Sequence, residues 1–196
     1  MKKGEKRKRE LLQIAYRLFL QKGYEETSVD DIIAQAHIAK GTYYYYFETK
    51  EQMLEEVIGM MLEQEAEKAR QVLLRPLPAP QKIAGIIASL RPAAEETTIE
   101  GALMRPENRV MHGKVRKKLV DMAVPLLSRA VEEGKTQGVF DCGDVPERVR
   151  MLVLVSSDIF DEGCFTGRDV EVYIDMAEKL LGAEPGTMEF IRELIR

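Results

Sequence analysis

The 196-residue chain has few of the residues that catalytic and metal sites need. It contains two histidines and two cysteines, and Cys142 and Cys164 form neither a CxxC pair nor a Cys/His cluster. The sequence shows no nucleophile–base pair, no metal-spaced acids and no glycine-rich phosphate loop. We therefore expect no cofactor, no metal and no enzyme, and an all-helical enzyme stays only as an alternative. The sparse cysteines favour a reducing compartment such as the cytoplasm.

Long hydrophobic runs are lacking as well. The basic residues between Lys2 and Arg9 resemble the start of an export signal, but residues 11–20 are amphipathic and no small-residue cleavage site follows. The apolar run at residues 151–155 is too short to cross a bilayer. We expect a cytoplasmic protein with no membrane partner.

The pattern that is present is helical. Apolar residues recur at steps of three and four from Leu11 to Phe19, and Gly23 follows as a helix end. Thr27 and Ser28 are good N-caps for a short second helix. The remaining helices are predicted near residues 50–75, 81–91, 103–111, 113–136, 145–161, 169–181 and 186–195, with Pro125 expected to kink or divide the one that begins near Gly113.

Charge is distributed unevenly along the chain. The net charge is −4, but the first 50 residues hold ten Lys and Arg against seven Asp and Glu. A basic N-terminal segment followed by an acidic remainder indicates that the N-terminal segment binds a polyanion.

Residues 28–46 have the pattern of a helix-turn-helix, in which two short helices surround a tight turn. Such a motif needs an apolar inner side, which packs the two helices together. Its second helix also needs a polar outer side that is narrow enough to enter the major groove. The inner side would come from Ile32, Ala36, Ile38, Tyr43 and Phe47, and the outer side from Lys40, Gly41, Thr42, Tyr44 and Tyr45.

Residues 8–58 resemble the TetR/AcrR family of bacterial repressors. The resemblance lies in three motifs: the Leu-Phe-x-x-x-Gly-Tyr segment at residues 18–24, the Gly-Thr-x-Tyr-x-Tyr-Phe segment of the recognition helix at residues 41–47, and Lys50 followed by Leu54. It implies an all-α fold of about nine or ten helices. Residues 1–50 would form a three-helix DNA-binding domain, and residues 51–196 a larger helical domain for ligand binding and dimerisation.

The resemblance also implies roles for single residues. Thr27 and Lys50 would hold phosphates, Tyr45 and Tyr46 would add hydroxyl contacts to the DNA backbone, and Lys40, Thr42 and Tyr44 would meet base edges. The full predicted DNA-binding set is Thr27, Ser28, Lys40, Gly41, Thr42, Tyr44, Tyr45, Tyr46 and Lys50.

Several positions depart from the family pattern. His37 stands where the turn usually has glycine, and we expect the turn to survive because His tolerates the left-handed region. Asp30 stands where a basic residue often contacts DNA, so it either accepts from a cytosine amino group or weakens binding. Ala39 replaces the common serine cap of the recognition helix, and Ile33 replaces a small residue.

The body carries weaker signals. By resemblance its last long helices would dimerise, with Leu152, Val155, Ile159, Ile174 and Leu181 at the interface; a monomeric core is the alternative. Five residues are candidates for contact with an unknown small-molecule effector: Met61, Met104, Arg105, Met111 and Met122. The methionines suit a plain core equally well. Arg105 and the Ser156-Ser157-Asp158 segment are candidates for orienting a ligand, with a surface or interface role as the alternative.

These patterns together predict a homodimeric, one-component transcriptional regulator, a repressor that a small molecule releases from a palindromic operator. One alternative is a DNA-binding protein of the same fold that senses nothing and organises the chromosome. Activation instead of repression is equally compatible with the sequence.

Overall fold

The computed structural model describes residues 3–91, 96–160 and 164–195 of the chain. In these ranges the chain forms ten α-helices and no strand, which confirms the all-α prediction. The helices are α1 (Lys3–Lys22), α2 (Val29–Ala36), α3 (Lys40–Tyr46), α4 (Lys50–Leu73), α5 (Ala79–Ser89), α6 (Thr97–Leu103), α7 (Arg109–Thr136), α8 (Val145–Phe160), α9 (Gly167–Leu181) and α10 (Ile191–Leu194). None of the described helices is both long and apolar enough to span a membrane.

Helix α1 ends where its sequence predicts. Leu11, Ala15 and Phe19 form one completely buried stripe, as expected for an amphipathic helix with one core-facing side. Gly23 follows with a φ of +84°, and its N–H donates to the Phe19 carbonyl at 2.9 Å. This left-handed residue satisfies an orphan carbonyl and turns the chain toward α2.

The middle of the chain differs from the prediction at two points. A short 3-10 turn (Pro106–Asn108) precedes α7, and α7 then continues through both Gly113 and Pro125. Asn108 supports the turn by donating its side-chain amide to the Ala102 carbonyl at 2.8 Å. Pro125 is solvent-exposed, whereas Ala123 and Leu127 on either side are buried. Burial of these neighbours offsets the one hydrogen bond that proline removes, so the helix is not divided.

The C-terminal helix is also shorter than predicted. Instead of a helix over residues 186–195, a turn precedes the four-residue α10. The buried Glu178 carboxylate accepts the N–H groups of Gly186 and Met188, both at 2.9 Å. A buried carboxylate is stabilised by such backbone donors, and the turn replaces the first part of the predicted helix.

The chain divides into two compact units. The first holds the chain up to Gln64 together with the segment that ends at Lys117, and the second holds Glu65–Arg91 and the chain from Lys118 onward. Two of the three boundaries fall inside α4 and α7, and the third follows Arg91. The functional boundary predicted at residue 50 is a different division and stays a prediction.

A close helix contact supports the core of the second unit. A Cβ added at Gly134 in α7 would lie 2.3 Å from Cδ2 of Phe140 and 2.8 Å from Cβ of Ala79. Both neighbours are buried. Only glycine therefore fits where α7 meets the ring of Phe140.

Replacement of this glycine tests the contact. We expect Gly134→Ala to lower the free energy of unfolding by roughly 1–3 kcal/mol, because the new methyl group overpacks the core. Gly113→Ala in the same helix is the control, since its Cβ would meet nothing within 4 Å; it should stabilise by about 0.5–1 kcal/mol through helix propensity. Urea denaturation followed by circular dichroism measures both. Equal stabilities of the two variants would contradict the close packing of Gly134.

Candidate functional site

A capping box sets the start of α2. The Ser28 hydroxyl accepts the Asp31 N–H at 3.0 Å, and the Asp31 carboxylate accepts the Ser28 N–H at 2.9 Å. This reciprocal pair satisfies two backbone donors at the helix start. The hydrogen bonds from the backbone and hydroxyl of Ser28, with a further one from Lys22, lower the pKa of Asp31 to about 2.

The turn between α2 and α3 has the geometry that the sequence predicts. His37 has φ 50° and ψ 50°, and its N–H donates to the Ala34 carbonyl at 3.2 Å. His therefore occupies the left-handed conformation in place of glycine, which confirms that expectation. Ala39 caps α3 without a side-chain hydrogen bond, also as expected.

Helix α3 separates buried and exposed aromatic residues. Tyr43 and Phe47, the residue directly after α3, are fully buried, and their ring centroids lie 5.7 Å apart. Tyr44 is 47% exposed and Tyr45 is 81% exposed. Among the described residues the Tyr43 hydroxyl has no hydrogen-bond partner, and burial raises the pKa of Tyr43 to about 12. The ring therefore serves packing, and the two exposed tyrosines face solvent.

The outer surface of α3 carries the predicted polar residues. Lys40 and Gly41 are exposed, whereas Thr42 and Tyr46 are half-buried. The structure thus brings the predicted residues from 40 to 46 together on one short helix, and Ser28 lies exposed at the start of α2. We call the exposed surface of Lys40, Gly41, Thr42, Tyr44 and Tyr45 the α3 surface.

Two predicted phosphate contacts are engaged inside the protein. Thr27 is fully buried, and its hydroxyl donates to the carbonyls of Gly23 at 2.8 Å and Leu18 at 3.4 Å. This corrects the role predicted for the Thr27 side chain, which supports the loop after α1 and does not face solvent. The Lys50 ammonium donates to the Glu25 carbonyl at 3.1 Å and lies 4.2 Å from the centroid of the Tyr24 ring.

Asp30 lies beside the start of α3. Its carboxylate forms an ion pair with Lys40 at 3.3 Å, and both side chains are largely exposed. Such an exposed pair contributes little to stability. It does place a negative charge next to a residue that was predicted to meet base edges.

The second unit contains a cavity of about 220 Å³. Its wall consists mainly of apolar residues from α5, α7, α8, α9 and α10, including Ile83, Ile87, Leu119, Ala123, Val149, Leu152, Phe160, Leu181 and Ile191. The four lining residues with polar groups are Arg91, Ser156, Ser157 and Tyr173. Ser156 and Ser157 belong to the Ser156-Ser157-Asp158 segment, which the sequence offers as a candidate for orienting a ligand.

None of the five residues predicted for effector contact lines this cavity. Met61, Met104, Arg105 and Met111 belong to the first unit, and Met122 belongs to the second. Arg105 forms an exposed ion pair with Glu25 at 3.0 Å. The methionine pattern therefore did not identify the residues that line this cavity. The apolar residues that do line it follow the same helical periodicity as an ordinary core, so the sequence could not distinguish them from core residues.

The residues predicted for dimerisation fall into two classes. Leu152, Ile174 and Leu181 are buried inside the second unit, and this corrects their assignment to a subunit surface. Val155 and Ile159 are half-buried. The exposed apolar residues on the same two helices are Met151, Leu154 and Val172. The helical period identified the correct helices for an apolar core but could not tell which stripe faces outward.

Ser28→Ala tests the capping box. We expect it to lower the free energy of unfolding near pH 7 by about 1 kcal/mol, because one α2 donor loses its partner. The pKa of Asp31, followed by NMR titration, should rise toward the usual value of about 3.9. Because the folded-state pKa is the lower one, this stabilisation is present above pH 4 and is lost as the pH falls toward 2.

Ser89→Ala is the matched control for this variant. The Ser89 hydroxyl donates to the Gly85 carbonyl at 2.7 Å within α5 and caps no backbone N–H. The control should leave the pKa of Asp31 unchanged. An unchanged Asp31 pKa in Ser28→Ala would contradict the capping box.

Comparisons with known proteins agree with the three-helix arrangement. Residues 11–57 match the model of the bacterial regulatory proteins of the tetR family. The HTH-type transcriptional repressor KstR2 of Mycolicibacterium smegmatis is 32% identical over 101 residues, which cover 52% of this chain and 49% of that protein. The HTH-type transcriptional regulator PksA of Bacillus subtilis is 26% identical over 96 residues, which cover 49% of this chain and 47% of that protein. The chain thus spans about half the length of these curated relatives.

The chain is similar in fold, over almost its whole length, to a solved protein. The crystal structure of RolR in complex with resorcinol has a TM-score of 0.64 and 21% identity, and the match covers 98% of this chain and 94% of RolR. At this identity the likeness shows the fold alone. The family model matches α1–α3 and the start of α4, so residues 11–57 carry the N-terminal domain that is typical of the bacterial tetR family of regulatory proteins.

Proposed function

We propose that the protein is a one-component transcriptional repressor that binds operator DNA with α3 and responds to a small molecule bound in the cavity of its second unit. One observation carries the DNA-binding part: α3 buries Tyr43 while it presents Lys40, Thr42, Tyr44 and Tyr45 outward. A helix of this width with polar residues near its start fits the major groove. The relative named as a repressor supports the same function.

The cavity supports the sensing part of the proposal. RolR, which has a similar fold, was crystallised with resorcinol. An apolar cavity with a few polar groups is the usual form of a small-molecule site. A ligand acts only through its different affinity for two states of the protein, and reversal of a 99:1 population requires about 5.5 kcal/mol of this difference. A regulator of this kind would act in the cytoplasm, where its DNA lies.

A protein of the same fold that senses nothing is the second candidate. It would bind many genomic sites, and no ligand would change its affinity for DNA. The cavity favours the sensing repressor, because a concave apolar pocket with a few polar groups is the form in which small-molecule sites usually occur.

We also propose a homodimer formed by α8 and α9. The Tyr173 hydroxyl donates to the Leu152 carbonyl at 3.0 Å, and Arg148 donates to the Leu180 carbonyl, so the two helices run antiparallel. On their outer surface Met151 is 58% exposed, Val172 is 52% exposed and Leu154 is 39% exposed. Two such helix pairs from two subunits would form a four-helix interface.

DNA binding is tested by fluorescence anisotropy with fragments that tile the region upstream of the protein's own gene, at two salt concentrations. We expect one fragment to bind tightly and to be competed poorly by random DNA. Lys40→Ala should weaken binding to this fragment by about tenfold and reduce its preference over random DNA, because a base contact is lost.

Arg75→Ala is the control for charge. Arg75 is exposed and belongs to the second unit, so this variant changes the net charge equally but leaves the α3 surface intact. It should bind like the wild type. If all fragments bind alike and added salt abolishes binding, only phosphate contacts are made, and the repressor proposal fails.

The dimer is tested by Leu154→Glu. We expect this variant to sediment as a monomer, because a charge is placed in an apolar interface, and to lose tight binding to a palindromic fragment. Leu74→Glu is the matched control, since Leu74 is 69% exposed and lies outside α8 and α9; it should stay dimeric in analytical ultracentrifugation. A Leu154→Glu dimer of unchanged stability would place the interface elsewhere.

A further inference from the structure

The cavity of the second unit has an uneven distribution of polarity. Its wall is apolar apart from Ser156, Ser157, Tyr173 and Arg91, and Arg91 is the one charged residue among the described residues that line it. An apolar wall selects an apolar ligand body, because such a ligand gains roughly 25 cal/mol for each Å² of apolar surface that leaves water.

The hydroxyl groups of the wall are already engaged within the protein. Ser156 donates to the Val153 carbonyl at 3.0 Å, and Tyr173 donates to the Leu152 carbonyl at 3.0 Å. Ser157 has an interaction of its own. A ligand would have to break these bonds to accept a hydrogen bond from either hydroxyl, so the two hydroxyls are poor donors to an anion.

Arg91 differs from these hydroxyl groups in its interactions. It directly follows Leu90, the C-cap of α5, and within the described part of the chain its guanidinium forms no ion pair with a carboxylate. Partial burial lowers the pKa of Arg91, and burial is the sole cause of that shift. By contrast Arg105, Arg168 and Arg192 all pair with glutamates. A partly desolvated cation without a counter-ion beside an apolar cavity gains most from an anionic partner.

The remaining exposure of Arg91 defines where that anion would lie. Arg91 lines the cavity and is also exposed to solvent, so we infer that its charge lies where the cavity opens to solvent. A ligand whose apolar body fills the cavity and whose charged group stays at this opening satisfies both environments. The planar guanidinium suits a carboxylate in particular, because it can donate two parallel hydrogen bonds to the two oxygens.

The size of the cavity limits the ligand further. Its volume of about 220 Å³ is smaller than the roughly 300–1,000 Å³ typical of drug-sized ligands. This suits a single ring or a short acyl chain.

We propose that the effector is a small apolar carboxylic acid whose carboxylate pairs with Arg91 at the opening of the cavity. This ligand class rests on the proposed function, because it takes the cavity to be the effector site. The competing explanation is that Arg91 only complements the negative end of α5, in which case its removal would not change which ligands bind.

Binding of three matched probes separates these explanations. Octanoate, octan-1-ol and octylammonium share one apolar chain and differ in the charge of the end group. We expect isothermal titration calorimetry of the full-length protein to rank octanoate first and octylammonium last. Arg91→Gln should weaken octanoate binding by about tenfold or more, because a charge-assisted hydrogen bond is lost, and should change octan-1-ol binding by less than twofold.

Three further variants keep the test specific. Arg91→Lys retains the charge without the planar pair of donors and should recover part of the octanoate affinity. Arg75→Gln removes an exposed arginine elsewhere in the same unit and should change nothing. Ala123→Phe fills the cavity from its buried wall and should abolish binding of all three probes. Thermal unfolding checks that each variant is folded.

The outcomes distinguish the ligand class from the proposed function. Equal binding of octanoate and octan-1-ol, an Arg91→Gln variant that keeps the wild-type ranking, or no octanoate binding at millimolar concentration each overturns the ligand class. Octanoate binding that depends on Arg91 but leaves operator affinity unchanged supports the ligand class and contradicts the sensing function. Octanoate binding that depends on Arg91 and weakens operator binding supports both.

Discussion

The burial of Tyr43 and Phe47 is the interaction on which the candidate DNA-binding surface depends. Helix α3 has seven residues, and a helix of two turns is not stable alone in water because nucleation costs more than so few hydrogen bonds return. Its cap, Ala39, adds no side-chain hydrogen bond. The two buried rings therefore hold α3 in place, and they do so although the Tyr43 hydroxyl finds no partner among the described residues. The outward direction of Tyr44 and Tyr45 is a geometric consequence of that burial.

The capping and turn residues around α2 serve the same end by different means. Ser28 and Asp31 fix where α2 begins, and His37 in the left-handed region fixes where it ends. These are local hydrogen bonds and backbone angles, so they set the length of α2 and the path of the turn. The direction of α3 is then left to side-chain packing. Stability of this region is thus divided between local polar bonds and a few large buried rings.

Charge has opposite consequences in the two units. On the α3 surface Lys40 is paired with Asp30, so part of the positive charge of this surface is neutralised within the protein. In the second unit Arg91 lies at an apolar cavity, and the described residues provide it with no such partner. An exposed ion pair is weak and easily exchanged, whereas a cation beside an apolar wall gains strongly from a ligand anion. This difference is why we assign ligand selectivity to Arg91.

The sequence by itself determined the features that depend on neighbours along the chain. Helical periodicity, Gly23, Ser28 and the residues of α3 predicted the all-α fold, the end of α1, the start of α2 and the outward Tyr44 and Tyr45, because hydrogen bonds and side-chain direction within a helix repeat at fixed steps. Tertiary structure alone decided which apolar stripe faces which neighbour. Leu152 and Leu181 became walls of a cavity rather than a dimer surface, Thr27 turned inward, and Arg91, which no local pattern marked, came to lie beside that cavity. These outcomes depend on contacts between residues far apart in the chain, and periodicity describes only one helix at a time.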